Sequence, residues 1–285
     1  MNEILQRGCL IHYSCSIWGG RVKLPKSAIT VDADPDFYNA TKYLIDRNYL
    51  QPLESVRSEA RGYLYKKTLP FPIPGILFVP KDMGGTIDEK MGAYQSRFNE
   101  QVEAFAGNYE TFIEQARRKL GTLFNPIEYP RNIRRHFSFT WRLYNFDAPD
   151  RIQVFSPEIY EQAVVDYQQT MSEFQETAVI TLRTTFSEMV DHIVERLSGE
   201  RKTFRDSLVG NIREFLADFS ALNITNDTEL AHAVERCRRI LDGVNPDAIR
   251  SNSAFRHHIA GSMSQVKTQL DKMMVSRPLR RIRVA

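Results

Sequence analysis

The sequence predicts a mainly α protein with a minor β element, built around a long helical hairpin or coiled-coil-like bundle. Three observations lead there. Two long stretches repeat apolar residues in alternating steps of three and four, the residues from 204 to 274 read as further amphipathic helices, and only short segments alternate with the period of two that suits a strand.

The chain opens with such a segment. Ile11, Tyr13, Cys15 and Ile17 alternate with His12, Ser14, Ser16 and Trp18, so one face of a strand is apolar. Gly19 and Gly20 supply a two-residue turn and Val22 and Leu24 resume the alternation, predicting a hairpin. Helices are expected over 35–48 and 52–67, then a proline-rich run and a brief apolar strand at Ile76 to Val79.

The first seam follows: Ile87, Met91, Tyr94, Phe98, Val102, Phe105, Tyr109, Phe112, Ala116 and Leu120. Thr86 and Glu89 read as its capping box, and at about 1.5 Å per residue the helix would extend about 50 Å. Gly107 is its weak point, where a kink or break is expected. The second seam starts after Ser156-Pro157 and runs Tyr160, Val164, Tyr167, Met171, Phe174, Ala178, Leu182, Phe186, Met189, Ile193 and Leu197, closed by Ser198-Gly199. Matched length and period predict that the two seams pack on each other as an antiparallel pair. Helices over 204–222, 228–242 and 255–274 complete the chain.

Between the seams, Phe137, Phe139, Trp141 and Leu143 alternate as on a strand. One small sheet is expected to hold Trp18, Val22, Ile76 to Val79 and Trp141, since such short strands are unstable alone. The organisation read from these elements is an N-terminal hairpin with short helices over 1–83 and a long helix pair over 84–200 with an inserted strand segment at 123–155. A C-terminal helical bundle over 201–275 and a basic tail over 276–285 follow.

Composition is ordinary for a globular chain: 42% hydrophobic and 26% charged over 285 residues. Lysine and arginine number 38 against 35 acids. Four of those cations, Arg277, Arg280, Arg281 and Arg283, lie in the last ten residues, leaving 34 against 35 elsewhere. The basic excess therefore sits in the tail, where an anionic partner is the natural reading. Three cysteines, no secretory leader and no apolar run of spanning length predict a reducing, cytoplasmic setting.

No catalytic signature is present: neither a nucleophile elbow, a phosphate loop, HExxH nor CxxC. Cys9, His12 and Cys15 offer soft ligands, but on a strand His12 points away from both cysteines. Glu188, His192 and Glu195 share a helical face without a matching carboxylate motif elsewhere. The expectation is no catalytic residue, no metal, no cofactor and no enzymatic activity. Arg131, Arg134, Arg135 and Arg142 interleave with Phe137, Phe139 and Trp141, a pattern that pairs phosphate-binding charge with stacking surfaces. These cations and the tail arginines are the candidate contacts to nucleic acid or another anionic partner.

Ser16 to Leu24, "SIWGGRVKL", with Trp18, Gly19, Gly20 and Arg21 as its centre, and Phe137 to Phe146, "FSFTWRLYNF", are separated by a seam-bearing helix. Together they resemble an uncharacterised family of bacterial and phage proteins known as a domain of unknown function. Gly19 stands where that family has serine and Val22 where it has a second cation. The resemblance implies a phage-like or mobile-element setting, in a bacterial host or a phage-related particle, sometimes beside a ring ATPase. It implies no activity. The function expected is that of a non-enzymatic helical protein acting by assembly, as a homo-oligomer or within a larger complex; the alternative is a nucleic-acid-binding accessory protein using Arg131 to Arg142 and the tail.

Overall fold

The structure is a computed structural model that describes residues 5–28, 30–198 and 206–275. The expected basic tail lies outside them. The chain divides into two units that interleave in sequence: unit 1 holds the chain up to Ile11, Tyr65–Gly84 and everything from Tyr144 on, while unit 2 holds His12–Leu64 and Gly85–Leu143.

In unit 1, β4 (Leu69–Pro70) and β5 (Ile76–Pro80) pair antiparallel with Leu69 opposite Phe78, and β5 is followed across the sheet by the first residues of β1 (Gly8–Ser16). Gly8 is required there. A Cβ on it would lie 2.1 Å from the carbonyl oxygen of Val79 and 2.5 Å from the ring of Phe78, distances no side chain can accept.

The helices of unit 1 are α4 (Pro157–Ser198), α5 (Asp206–Leu222), α6 (Thr228–Leu241), the one-turn α7 (Pro246–Ser251) and α8 (Ser253–Val275). Proline at the first position of α4, the Asp227 cap of α6 and Gly243 with φ +64° after it match the boundaries the sequence predicts. The most extensive packing of α4 is with α8; α5 also packs on α4, and α6 packs on α8 and α5. Met171, Phe174, Ala178, Leu182, Phe186, Ile193 and Leu197 are buried as their spacing requires, with Val190 inside where Met189 was expected. Phe174 packs on Phe71 and Phe78, each about 5.0 Å between ring centres, and Phe186 stacks on Phe215 at 5.5 Å. A buried cation ties three elements together: Arg183 of α4 holds both carboxylate oxygens of Asp227 at 2.6 and 3.0 Å, Glu229 at 3.0 Å and the carbonyl of Met273 at 3.3 Å.

Unit 2 contains the rest of β1 with β6 (Ser138–Tyr144) as its neighbour, the ribbon of β2 (Arg21–Lys23) and β3 (Thr41–Tyr43), most of α1 (Gln51–Lys67), α2 (Gly84–Gly107) and α3 (Tyr109–Leu120). The first seam is realised from Ile87 to Ala116, its members buried except the half-buried Phe112. It breaks at Gly107 as expected, while Gly92 is carried inside the helix: α2 ends at Gly107 and α3 starts after Asn108. β6 then runs back beside α2, with Phe137 against Phe105, Phe139 against Phe98 and the Phe139 carbonyl accepting from Gln95 at 2.8 Å.

Five expectations are corrected. The long helix pair expected over 84–200 is absent as such: α2 and α4 fall in different units, and each seam is closed by elements of its own unit, α4 joining the helices of 206–275 in one bundle. Gly19-Gly20 does not close a hairpin. Gly20 has φ +54°, but β2 pairs with β3 in the register Arg21–Tyr43, extended by bonds from Leu44 N to Gly20 O and Leu24 N to Ala40 O. The helix expected over 35–48 is instead two single 3-10 turns flanking β3, each capped by an aspartate, Asp34 and Asp46. These caps satisfy only one turn, and the buried Lys42 between them is held by Glu128 at 2.6 Å and the Leu123 carbonyl at 2.5 Å. Thr86 and Glu89 do not cap α2, because a 3-10 turn at Lys81–Met83 starts the helix two residues earlier. Finally, Trp18 and Val22 are not on the sheet of β1, β4, β5 and β6: β1 ends at Ser16, and Val22 belongs to the separate β2–β3 ribbon.

Candidate functional site

Within unit 2 both motif segments meet α2 at Phe105, which contacts Trp18 and Phe137. Trp18, two residues beyond β1, packs edge-on against Phe105 at 6.4 Å and Tyr109 at 5.7 Å, bracketing the break between α2 and α3. Gly20 is needed beneath it: a Cβ there would come 3.3 Å from Ile45 and 3.6 Å from the Trp18 ring. Trp141, on β6, donates from Nε1 to Asp88 at 2.8 Å and touches Phe139 at 6.3 Å. The alternation expected of β6 holds through Trp141, with Phe139 buried, Trp141 half-buried and Ser138 and Thr140 exposed, and fails at Leu143, which is 49% exposed.

The arginines of the second segment are not equivalent. Arg134 makes a forked pair with Glu103, at 2.9 and 3.0 Å from Nε and 2.8 Å from Nη2. Its bond holds the Glu103 carboxyl below the usual range. Arg131, Arg135 and Arg142 are exposed. Arg277, Arg280, Arg281 and Arg283 lie outside the described residues.

Sequence reading singled out Arg21 but missed its neighbours. Arg21 and Trp18 line a cavity of about 230 Å³ together with Tyr43, Arg47, Glu54 and Arg57. Three elements build it: the Trp18 loop leading into β2, the end of β3 with the turn after it, and one face of α1, where Glu54 and Arg57 are three residues apart. The register that sets Arg21 opposite Tyr43 brings the first two together, and the Arg47 guanidinium lies over the Tyr43 ring at 5.4 Å. Further along the same face, burial raises the pKa values of the Tyr13 hydroxyl and the Cys15 thiol, with Arg57 pulling both the other way.

Unit 1 offers a surface of opposite character. The seam of α4 is closed only from Met171 onward; Tyr160, Val164 and Tyr167 are half-buried. Beside them Val154 and Phe155 are 81% and 72% exposed, and Ile159 and Val165 are more than half exposed.

All three cysteines are free thiols, and burial pushes Cys237 up to about 12. Among the described residues no group of three or more His, Cys, Asp or Glu is placed to hold a metal ion. Also among them, no helix is long and apolar enough to cross a membrane.

No curated protein and no solved structure matches the chain. One family does, over residues 5–265 and therefore nearly the whole sequence, and the chain belongs to it: the family described as protein of unknown function, DUF3150.

Proposed function

We propose that this protein is a non-enzymatic assembly protein that associates with itself through the N-terminal third of α4. The observation that carries this reading is the uncovered apolar surface of Val154, Phe155, Ile159 and Val165. Large apolar side chains left exposed along one stretch of chain, here 154–165, are a mark of interaction surfaces. A second copy is the occupant that fits, because the three-four period of the closed seam continues backward through Tyr167, Val164 and Tyr160. Two such ends can meet symmetrically, each laying the same stripe against the other. Unit 1 thus combines a closed bundle with a half-buried continuation of the same period, Tyr160, Val164 and Tyr167, flanked by exposed apolar side chains.

The phage-like setting, a bacterial cytoplasm or phage-related particle, and a ring ATPase as neighbour belong to this same reading through the family resemblance. The rival, a nucleic-acid-binding accessory role, rests on the exposed Arg131, Arg135 and Arg142. It draws less support, since Arg134 is spent on Glu103 and the Trp141 indole on Asp88.

Sedimentation velocity over a concentration series tests the proposal. The unaltered chain should sediment as an oligomer, and the double variant Ile159→Glu, Val165→Glu as a monomer with unchanged far-ultraviolet circular dichroism. A monomeric unaltered chain at about 100 μM, a concentration at which even weak micromolar contacts are populated, refutes self-assembly.

A further inference from the structure

The cavity at Trp18 carries an electrostatic imbalance. Several arginines of the protein are paired with acids: Arg97 holds Glu59 at 2.9 Å, Arg134 holds Glu103, Arg183 holds Asp227 and Arg238 holds Glu235 at 2.9 Å. Arg21, Arg47 and Arg57 do not. Among the described residues no carboxylate lies within ion-pair distance of any of them, although Glu54 lines the same space. Three arginines and one glutamate among the residues lining about 230 Å³ give a formal surplus of two positive charges.

We propose that this cavity binds a phosphate dianion, free or as a small phosphate monoester. The charge balance is the first reason: at neutral pH a phosphate monoester carries about −1.5 to −2, which offsets the surplus. Donor geometry is the second, because guanidinium forks present paired N–H groups that match the oxygens of a phosphate. Size is the third. A water occupies about 30 Å³ of liquid, so the cavity has room for a phosphate and a small substituent but not for a long chain. The walls come from a loop, a ribbon and a helix whose positions are fixed by Gly20, by the Arg21–Tyr43 register and by the burial of Lys42. The backbone positions from which the three arginines project are therefore set before any ligand arrives, which lowers the cost of binding.

Calorimetric titration of the full chain with inorganic phosphate at low ionic strength is the test. One saturable site is expected, weakened roughly tenfold or more in Arg21→Gln and in Arg57→Gln, as for loss of a charge-assisted bond. Arg97→Gln, which removes a surface pair elsewhere on unit 2, should leave it unchanged. Because Trp18 lines the cavity and Trp141 does not, phosphate should also perturb tryptophan emission in a Trp141→Phe variant. Glycerol 3-phosphate is the second titrant: affinity well above that of phosphate identifies a small monoester as the source, and equal or lower affinity identifies free phosphate. The proposal is overturned by the absence of saturable binding up to about 10 mM, by equal affinity in the Arg21→Gln and Arg57→Gln variants, or by an emission change that disappears with Trp141.

Discussion

Replacing Arg183 with leucine should be among the most damaging single changes in unit 1. Its guanidinium side chain is 13% exposed and the Asp227 carboxylate only 5%, whereas Glu229 is 68% exposed. The Glu229 arm is thus a surface pair worth about 0–1 kcal/mol. The Asp227 arm is different, because leucine would leave a buried carboxylate facing an apolar side chain. Breaking a buried pair from one side costs about 3–5 kcal/mol. Asp227 keeps one compensation: its Oδ1 still accepts from the Leu230 amide at 3.1 Å as the cap of α6. That bond already exists in the unaltered protein, so it limits the penalty without adding anything, and a loss of about 3 kcal/mol is expected. The hydrogen bond to Asp227 also raises the Arg183 pKa above the ordinary guanidinium value, so no accessible pH relieves the pair from this side. Urea denaturation followed at α-helical wavelengths is the assay. Asp227→Asn retains a capping oxygen while removing the charge, so the double variant Arg183→Leu, Asp227→Asn should be more stable than Arg183→Leu alone. A single-variant loss below about 1 kcal/mol, or a double variant whose losses simply add, would show that the pair is not a coupled buried contact.

Gly8→Ala should lower the melting temperature by several degrees, since a methyl group 2.1 Å from the Val79 carbonyl forces β1 and β5 apart and overpacking costs about 1–3 kcal/mol or more; an unchanged melting temperature would contradict the strand packing. The link between Lys67 and Glu214, at 2.8 Å, predicts an acid-sensitive contribution. The Lys67 ammonium holds the Glu214 carboxyl below its usual value, so the unfolded chain binds the proton more readily, and the stabilisation is present above the unfolded carboxylate pKa near 4.3 and lost as pH falls through the lower folded value. Denaturation midpoints measured from pH 6 down to about pH 3 should fall less steeply in Glu214→Gln than in the unaltered chain, and parallel curves would remove Glu214 from the account.

How much of this was legible in the sequence depended on whether the information was local. The seam of α2 could be read because Ile87, Met91, Tyr94 and Phe98 recur at helical spacing and only one face can be buried; its end at Gly107 was flagged by the residue itself. The starts and stops of α4 and α6 were equally local, carried by Pro157, Asp227 and Gly243. Period, however, identifies an apolar face and not its partner. The seam of α4 would be satisfied by any matching stripe, and within its own unit it packs most extensively on α8.

The cavity was hidden for the same reason in sharper form. Thr41–Tyr43 is a three-residue strand with no alternation to detect, and it exists because Lys42 is buried against Glu128 and the carbonyl of Leu123, both more than 80 residues away in the chain. Pro35 does sit at the first position of a helical turn, but one aspartate cap cannot extend that turn against the pull of the ribbon. Once β3 forms, its register with β2 decides which side chains meet, carrying Arg21 to Tyr43 and so to Arg47, while α1 brings Arg57 from below. The one local hint was the motif itself. A tryptophan and an arginine flanking two glycines can be explained by a hairpin, yet Gly20 turns the chain away from β1, and what the segment helps build is a cavity lined by three arginines against the one carboxylate of Glu54.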